Sequence, residues 1–165
     1  FYYSRVKPFD TICARSLVEI NSYGFLYLII LVSYFYIKDI WIVDNLPLIF
    51  LNFFLISIFS FGLGLIFMVA GCRYNYTKQV VTVIFRPLYF LSGSLFSLSS
   101  LPEWVKPWLA WNPILQAIEL SRKGFSGFYL LDPLISLNYL IKTTIITLFL
   151  GLLIYVKNER ILLTK

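Results

Sequence analysis

Few side chains in this sequence could carry acid–base, nucleophilic or metal chemistry. The 165 residues include eight Asp and Glu residues, two Cys and no His. Without His, the chain lacks Ser-His-Asp and Cys-His nucleophile systems, His-ligated zinc and the usual near-neutral general base. It also has no GxxxxGK[ST] phosphate-binding loop and no Gly-rich dinucleotide fingerprint. We therefore expect no catalytic site, cofactor or metal on this chain, and we expect any energy source to lie on another chain.

Three charged side chains lie in largely apolar stretches and are the best candidates for a polar function. Glu119 and Arg122 stand at i and i+3, so we expect an ion pair on a helix rather than an acid–base couple. Arg86 would lie about 12 Å beyond Lys78 along a helix, inside the hydrocarbon core if this stretch crosses a membrane. An intramembrane charge indicates a function. Two plainer readings are equally open: Arg86 could snorkel to the interface, or satisfy carbonyls freed by a kink at Pro87.

The composition is that of a membrane protein. Hydrophobic residues make up 59% of the chain and charged residues only 13%, about half the charged share of a soluble domain. The formal net charge is +6, but only Arg122 and Lys123 are adjacent basic residues, so we expect no nucleic-acid partner. Cys13 and Cys72 are too few for a disulfide framework, and we interpret both as small apolar side chains.

Uncharged stretches predict four transmembrane helices, because a charge at the bilayer centre costs about 2.5 to 3.5 kcal/mol and a span needs roughly 17 to 25 residues. The predicted spans are residues 21–37, 46–71, 79–96 and 133–156. Arg86 and Pro87 interrupt the third span. The fourth carries Lys142, which we expect to snorkel towards the outer edge. The fold class is therefore an all-α integral membrane protein, with residues 1–165 forming a single membrane domain.

Basic residues are distributed unevenly between the two sides of these predicted spans. One side carries eight basic and three acidic residues, a net charge of +5, and the other carries four basic and five acidic residues, a net charge of −1. Cytoplasmic loops retain Lys and Arg. We therefore expect both ends of the chain, including a tail at residues 157–165, to be cytoplasmic. The sequence begins with Phe1 rather than Met, so we expect that an N-terminal part of the protein is missing.

The segment before the first span, residues 1–20, is predicted to form a cytoplasmic amphipathic helix from Pro8 onwards. Its apolar residues recur at helical spacing and form one stripe: Phe9, Ile12, Cys13, Leu17 and Ile20. The charged residues Asp10, Arg15 and Glu19 lie off that stripe. Pro8 suits the first helical turn, and the carboxylate of Asp10 complements the positive end of the helix.

Residues 97–132, on the outer side, contain too many Pro and Gly residues to form one span. Asn112 is predicted to cap a helix that Pro113 opens and Gly124 ends, and Asp132 with Pro133 repeats this start signal for the last span. The short helices are too apolar for a solvated loop, so we expect them to re-enter the outer leaflet against protein. Aromatic side chains there could bind sugars, but Trp also gathers at membrane interfaces without any such role.

Several segments resemble type-2 ABC exporter permeases, and among them those that export capsular polysaccharide. They are, in the order of the family, residues 6–19 (VKPFDTICARSLVE), 62–69 (GLGLIFMV), 86–93 (RPLYFLSG), 101–102 (LP), 111–122 (WNPILQAIELSR) and 136–140 (SLNYL). The WNP run followed by ELSR is the most specific of these. The likeness covers nearly the whole chain, which would hold the last four of six spans. Gln116 stands where the family suggests His, and Lys142 where it suggests an apolar residue.

The resemblance implies a homodimeric permease in the bacterial inner membrane, working with a separate ATP-binding ABC subunit on a lipid-linked polysaccharide. On this reading, the first set of site residues couples to the ATPase: Lys7, Pro8, Asp10, Thr11, Arg15 and Glu19. A second set forms the gate or the translocation path: Arg86, Pro87, Pro102, Trp111, Asn112, Pro113, Glu119 and Arg122. The export of another substrate, such as O-antigen or teichoic acid, stays open.

Two other classes of protein share the composition. A membrane enzyme acting on lipid-linked sugars would require a carboxylate or His constellation at one interface, and the sequence contains no such cluster. A structural or assembly subunit without transport is compatible with the composition. A polymer-export assay with and without the ATPase separates the three classes.

Overall fold

The computed structural model describes residues 7–38 and 43–163, with side chains described up to residue 159 except at Lys38. Every regular element in these two ranges is helical, as predicted. The helices are α1 (Pro8–Lys38), α2 (Leu46–Arg73), α3 (Thr77–Phe90), α4 (Lys106–Ala110), α5 (Pro113–Phe125) and α6 (Leu137–Leu163), with a 3₁₀ turn at Leu98–Ser100. Residues 1–6 of the predicted coupling segment and residues 164–165 of the predicted tail lie outside the described residues.

α1 is one uninterrupted helix of 31 residues, so the predicted amphipathic helix and the first span form a single element. The reason is local, because the helix contains no Pro after its first residue and only one Gly, Gly24. Phe9, Ile12, Cys13 and Ile20 are half-buried, as the predicted stripe requires. Leu17 is the exception to that prediction, since it is 61% exposed.

α2 and α6 form the central pair of the fold, and their backbones meet at Gly62 and Gly151. A Cβ placed on Gly62 would lie 2.9 Å from the backbone of Leu148, and one on Gly151 would lie 2.5 Å from the carbonyl oxygen of Gly62. Only glycine fits at such a crossing. Glycine at a helix crossing of this kind is common between membrane helices, because it lets the two backbones approach closely.

α2 and α6 run parallel, and α1 runs antiparallel to both. Thr144 lies beside Leu55 at one end of the pair, and Tyr155 packs with Leu65 and Val69 towards the other. Along α1, Ile12 faces Gly64 and Tyr27 faces Phe53. We call the end that holds the start of α1 and the ends of α2 and α6 the inner end, and the opposite end the outer end.

Within the described residues, three helices are long and apolar enough to cross a membrane, and they lie in α1, α2 and α6. The predicted third span, residues 79–96, corresponds to α3, which has only 14 residues. That is about 21 Å of helix, shorter than a hydrocarbon core of about 30 Å. α3 ends because the chain turns after Phe90, and Gly93 then adopts a left-handed φ of 76°. The count of four spans is therefore not confirmed.

The last helix begins and ends later than predicted. The carboxylate of Asp132 accepts from the N–H of Leu134 at 3.1 Å and pairs with Lys106, so Asp132 and Pro133 form a turn and α6 starts only at Leu137. At the other end, α6 continues to Leu163, so most of the predicted tail is helical.

The segment between α3 and α6, residues 91–136, which we call the outer segment, packs as a compact unit on the outer halves of α2 and α6. Its helices are short, as the Pro and Gly punctuation predicts. The buried side chains that join it to α6 form one cluster: Leu98, Ala110, Leu115, Ala117, Leu120, Ile135 and Leu140. Whether this unit re-enters a membrane stays a prediction.

Candidate functional site

The first turns of α1 present an exposed polar stripe, which contains five of the six predicted coupling residues: Lys7, Asp10, Thr11, Arg15 and Glu19. These residues are separated by three, one, four and four positions, which places them on one side of a helix with about 3.6 residues per turn. The half-buried stripe on the other side faces α2 and α6. Pro8, the sixth predicted residue, is buried at the first position of α1.

Ionic contacts order this stripe. Asp10 accepts from the backbone N–H of Lys7 through Oδ2 at 3.0 Å, which closes the first turn of α1. Arg15 and Glu19 form an ion pair of 3.1 Å at i and i+4, and both are largely exposed. Lys7 pairs with Glu159 near the end of α6, at 3.1 Å between Nζ and Oε1. The hydrogen bond and the charge of Glu159 raise the pKa of Lys7 above its usual value of 10.5, so Lys7 keeps its charge throughout the physiological pH range.

Glu119 is the centre of a buried polar cluster in the outer segment. Its side chain is 1% exposed. Oε1 accepts from the N–H of Leu98 at 2.9 Å and from Nη1 of Arg122 at 2.8 Å, and Oε2 accepts from the hydroxyl of Tyr129 at 2.5 Å. The predicted Glu119–Arg122 ion pair is thus present, and its carboxylate is fully used in holding the segment together.

Arg122 extends this cluster to the chain that follows α3. Its Nη1 donates to the carbonyl of Phe96 at 2.8 Å, and its Nη2 donates to the carbonyl of Gly93. The guanidinium therefore connects the turn after α3 to α5, because its donors diverge in a fixed plane. Hydrogen bonds to a charged group are worth about 1.5 to 3 kcal/mol, more than neutral ones.

Gln116 forms a second buried link, between α5 and the start of α6. Its Nε2 donates to the carbonyls of Ala110 and Leu134 at 2.8 and 3.1 Å, and its Oε1 accepts from the N–H of Ser136 at 2.8 Å. All three are backbone groups at or beyond helix ends, since Ala110 ends α4 and both Leu134 and Ser136 precede α6. Gln116 therefore has a clear structural role here.

Lys106 and Asp132 form a third buried contact, which sequence reasoning missed. Their side chains are each 9% exposed, and Nζ lies 3.2 Å from Oδ2; Glu103 adds a second carboxylate at 2.7 Å. The hydrogen bonds that Lys106 donates to these carboxylates, the one to Glu103 first, raise the pKa of Lys106 against the opposing effect of burial. Lys106 therefore stays charged and anchors the start of α4 to the turn before α6.

The other predicted gate residues are distributed over the outer segment and α3. Asn112 caps α5 as predicted, accepting from the N–H of Ile114 at 3.0 Å, and Pro113 opens that helix. The carbonyl of Trp111 accepts from the hydroxyl of Tyr139 at 2.8 Å, while its ring is exposed. The carbonyl of Pro102 accepts from the N–H of Val105 at 3.0 Å.

Arg86 and Pro87 stand apart from the Glu119 cluster. Both are exposed on α3, and Arg86 has no ion pair or hydrogen bond to any described residue. Its side chain lines a shallow groove of about 360 Å³ with Thr82, Phe85 and Tyr89. The alternative in which the guanidinium satisfies carbonyls freed at Pro87 therefore finds no support in these contacts.

A larger cleft separates α1 from α2. It has a volume of about 470 Å³ and is lined by polar side chains from both helices, among them Arg15, Ser16, Glu19, Ser57 and Ser60, and by apolar ones around them. Within the described residues, no group of three or more Cys, Asp or Glu side chains could hold a metal ion.

The sequence is similar to known transport proteins. The sequence pattern of the ABC-2 type transporter family matches residues 1–126. The polysialic acid transport protein KpsM of Escherichia coli is 37% identical over 165 residues, all of this chain and 64% of that protein. The capsule polysaccharide export inner-membrane protein BexB of Haemophilus influenzae is 26% identical over 160 residues, 95% of this chain and 58% of that protein.

A third relative extends the comparison. The capsule polysaccharide export inner-membrane protein CtrC of Neisseria meningitidis serogroup A is 26% identical over 126 residues, which is 76% of this chain and 48% of that protein. The chain thus spans about two thirds or less of the length of the curated relatives it matches. Because the family pattern covers most of the chain and one relative matches all of it at 37% identity, the chain belongs to the ABC-2 type transporter family.

Proposed function

We propose that this chain acts in the permease subunit of an ATP-driven exporter that moves capsular or other lipid-linked polysaccharide across the bacterial inner membrane. The observation that carries the proposal is the 37% identity to a polysialic acid transport protein along all 165 residues. Two further relatives are named as capsule polysaccharide export proteins of the inner membrane. The long apolar faces of α1, α2 and α6 support a place in the bilayer.

The proposed energy source is a separate ATP-binding ABC subunit that docks at the inner end of the fold. The exposed polar stripe of α1 supports this, because its side chains are accessible to another protein while the opposite stripe packs on α2 and α6. We place the inner end in the cytoplasm, since the basic residues Arg73, Lys78 and Lys157 gather there. The active assembly in this proposal is a homodimer embedded in membrane lipid.

The outer segment is the proposed gate on the far side, with the chain spanning the membrane four times. Its internal contacts support a unit that can move as one body, because Glu119, Arg122 and Gln116 bind its pieces to each other. The rings of Trp104, Trp108 and Trp111 are each more than three quarters exposed. In this proposal they lie at the outer interface, where Trp side chains are favoured.

A polymer-export assay tests the function. The full-length permease that contains this chain is expressed in a capsulated strain that lacks its own export permease, with and without the ATP-binding partner, and polymer at the cell surface is quantified. We expect surface polymer only when both proteins are present. An enzyme acting on lipid-linked sugars would instead alter the lipid-linked pool without the partner, and this result would refute the proposal.

A further inference from the structure

The start of α1 is fastened to the end of α6 by contacts between residues far apart in the sequence. Lys7 and Glu159 form an ion pair of 3.1 Å although 152 residues separate them. Next to this pair, the ring of Phe9 lies between two aromatic rings, at 5.3 Å from Tyr155 and 6.2 Å from Phe61. The first turn of α1 is therefore seated on α6 and α2 by one ionic and two aromatic contacts.

The two parts of this seat have different roles. Tyr155 is buried with Leu65 and Val69 at the inner end, so Phe9 packs on a side chain that belongs to the core of the fold. The Lys7–Glu159 pair is more exposed, with side chains 61% and 34% accessible. An ion pair at this exposure adds little to folding stability. The pair instead fixes the position of the first turn of α1, where the exposed polar stripe begins.

We infer that Glu159 is a positioning residue for the partner-docking stripe of α1: through Lys7 it holds the first turn of α1 against α6, in the pose that meets the ATP-binding subunit. This inference rests on the proposed docking of that subunit at the stripe. Glu159 itself need not touch the partner. It acts through Lys7, so reversing both charges together restores its effect.

The same contact connects the docking turn to the far side of the fold. Near its start, α6 contributes Leu140 to the buried cluster that joins it to the outer segment. Just before α6, the N–H of Ser136 donates to the side chain of Gln116 in α5. Between the two ends, α6 is locked to α2 at Gly62 and Gly151. A displacement of the first turn of α1 would therefore act on the closely packed pair of α2 and α6, which carries the outer segment. The two ends of the fold are connected in this way by rigid-body motion.

Charge reversal tests the inference. The variants are Lys7→Glu, Glu159→Lys and the double variant with both changes, and the matched control is Lys157→Glu. Lys157 is exposed two residues before Glu159 and has no ion pair to a described residue, so its reversal changes the local charge without breaking a contact. The readout is the ATP-binding subunit that remains bound to the tagged protein as the NaCl concentration rises.

Each single reversal should weaken retention of the partner about two- to fivefold, the range expected for an exposed ion pair. The double variant should recover most of it, and Lys157→Glu should lose less than either single reversal. Thermal midpoints of the four variants in detergent should agree, since the pair adds little to stability. Glu159→Asp, which keeps the charge on a shorter side chain, should retain more partner than Glu159→Lys.

Two outcomes would overturn the inference and leave the proposed function standing. The first is a double variant no better than the single variants while the unchanged protein retains its partner. The second is a loss in Lys157→Glu equal to the loss in Glu159→Lys. If the unchanged protein retained no ATP-binding partner at all, the proposed function would fail, and the inference would fall with it.

Discussion

The crossing of α2 and α6 at Gly62 makes a sharp prediction for a single added methyl group. In Gly62→Ala, the new Cβ would lie 2.9 Å from the backbone of Leu148, whereas ordinary contacts begin near 3.4 Å. The backbones must therefore separate by about 0.5 Å, since no side-chain rotation relieves a contact with main-chain atoms. The hydrogen bond from Thr144 to the carbonyl of Leu55, already 3.5 Å long, spans the same interface and would be lost.

Gly71 supplies a matched control on the same helix. A Cβ at Gly71 meets nothing within 4 Å, so Gly71→Ala changes helix propensity and nothing else. Ala is favoured over Gly in a helix by about 0.8 to 1 kcal/mol, and both variants receive this gain. Overpacking a tight contact costs about 1 to 3 kcal/mol, occasionally more. Gly62→Ala should therefore be up to about 3 kcal/mol less stable than Gly71→Ala.

The assay is thermal unfolding of the detergent-solubilised protein, followed as the fraction that stays monodisperse after heating. A change of 1 kcal/mol shifts the midpoint by roughly 2 to 4 °C in a protein of this size. Gly71→Ala should match or exceed the unchanged protein, and Gly62→Ala should unfold several degrees below Gly71→Ala. Gly151→Ala should behave like Gly62→Ala, and the double variant should cost less than the sum because both changes open one contact. Equal midpoints for Gly62→Ala and Gly71→Ala would refute the parallel, closely packed pair.

Three other predictions follow from the remaining contacts. Glu119→Ala should destabilise the protein by about 3 to 5 kcal/mol, because it leaves the Arg122 guanidinium without its buried carboxylate, whereas Glu119→Gln should lose less; thermal midpoints measure both. A Cys at Ser99 should react with a membrane-impermeant reagent added to intact cells while a Cys at Asn75 should not, and the reverse pattern would contradict the proposed orientation. Glu159 raises the pKa of Lys7 above 10.5, so the contribution of Lys7 to stability is complete below that pH and is lost only as the pH rises through the raised value. Lys7 therefore keeps its charge between pH 6 and 9, and retention of the ATP-binding partner should not change through loss of that charge. Retention should fall as the salt concentration rises.

Features encoded by neighbouring residues could be predicted from the sequence. Asn112 and Pro113 mark the start of α5, and the uncharged run from residue 46 marks α2 to within two residues of its end. The spacing of Glu119 and Arg122 predicts their ion pair for the same reason. In each case the structural cause lies within one or two helical turns.

Features that depend on distant partners could not be predicted in this way. Asp132 resembles a helix cap, but it binds Lys106, whose side chain reaches it from α4. The carboxylate of Glu119 is satisfied by Leu98 and Tyr129 as well as by its neighbour on the helix. The only sequence signal for such contacts is a charged residue in an apolar stretch, which indicates that a partner exists but does not identify it.

Because α2 and α6 run parallel, the chain between them must cross the protein an odd number of times. α2 ends at the inner end and α6 begins at the outer end, so the chain between Arg73 and Leu137 must make a net return through the thickness of the protein, although α3 covers only about 21 Å of that path. Lys7 and Glu159, which lie near the two ends of the described chain, meet on one side as a result. Reporter domains fused near both ends should therefore report the same side of the membrane. A variant with one crossing added or removed between α2 and α6 would have to invert α6 and would lose the glycine contact between the two helices.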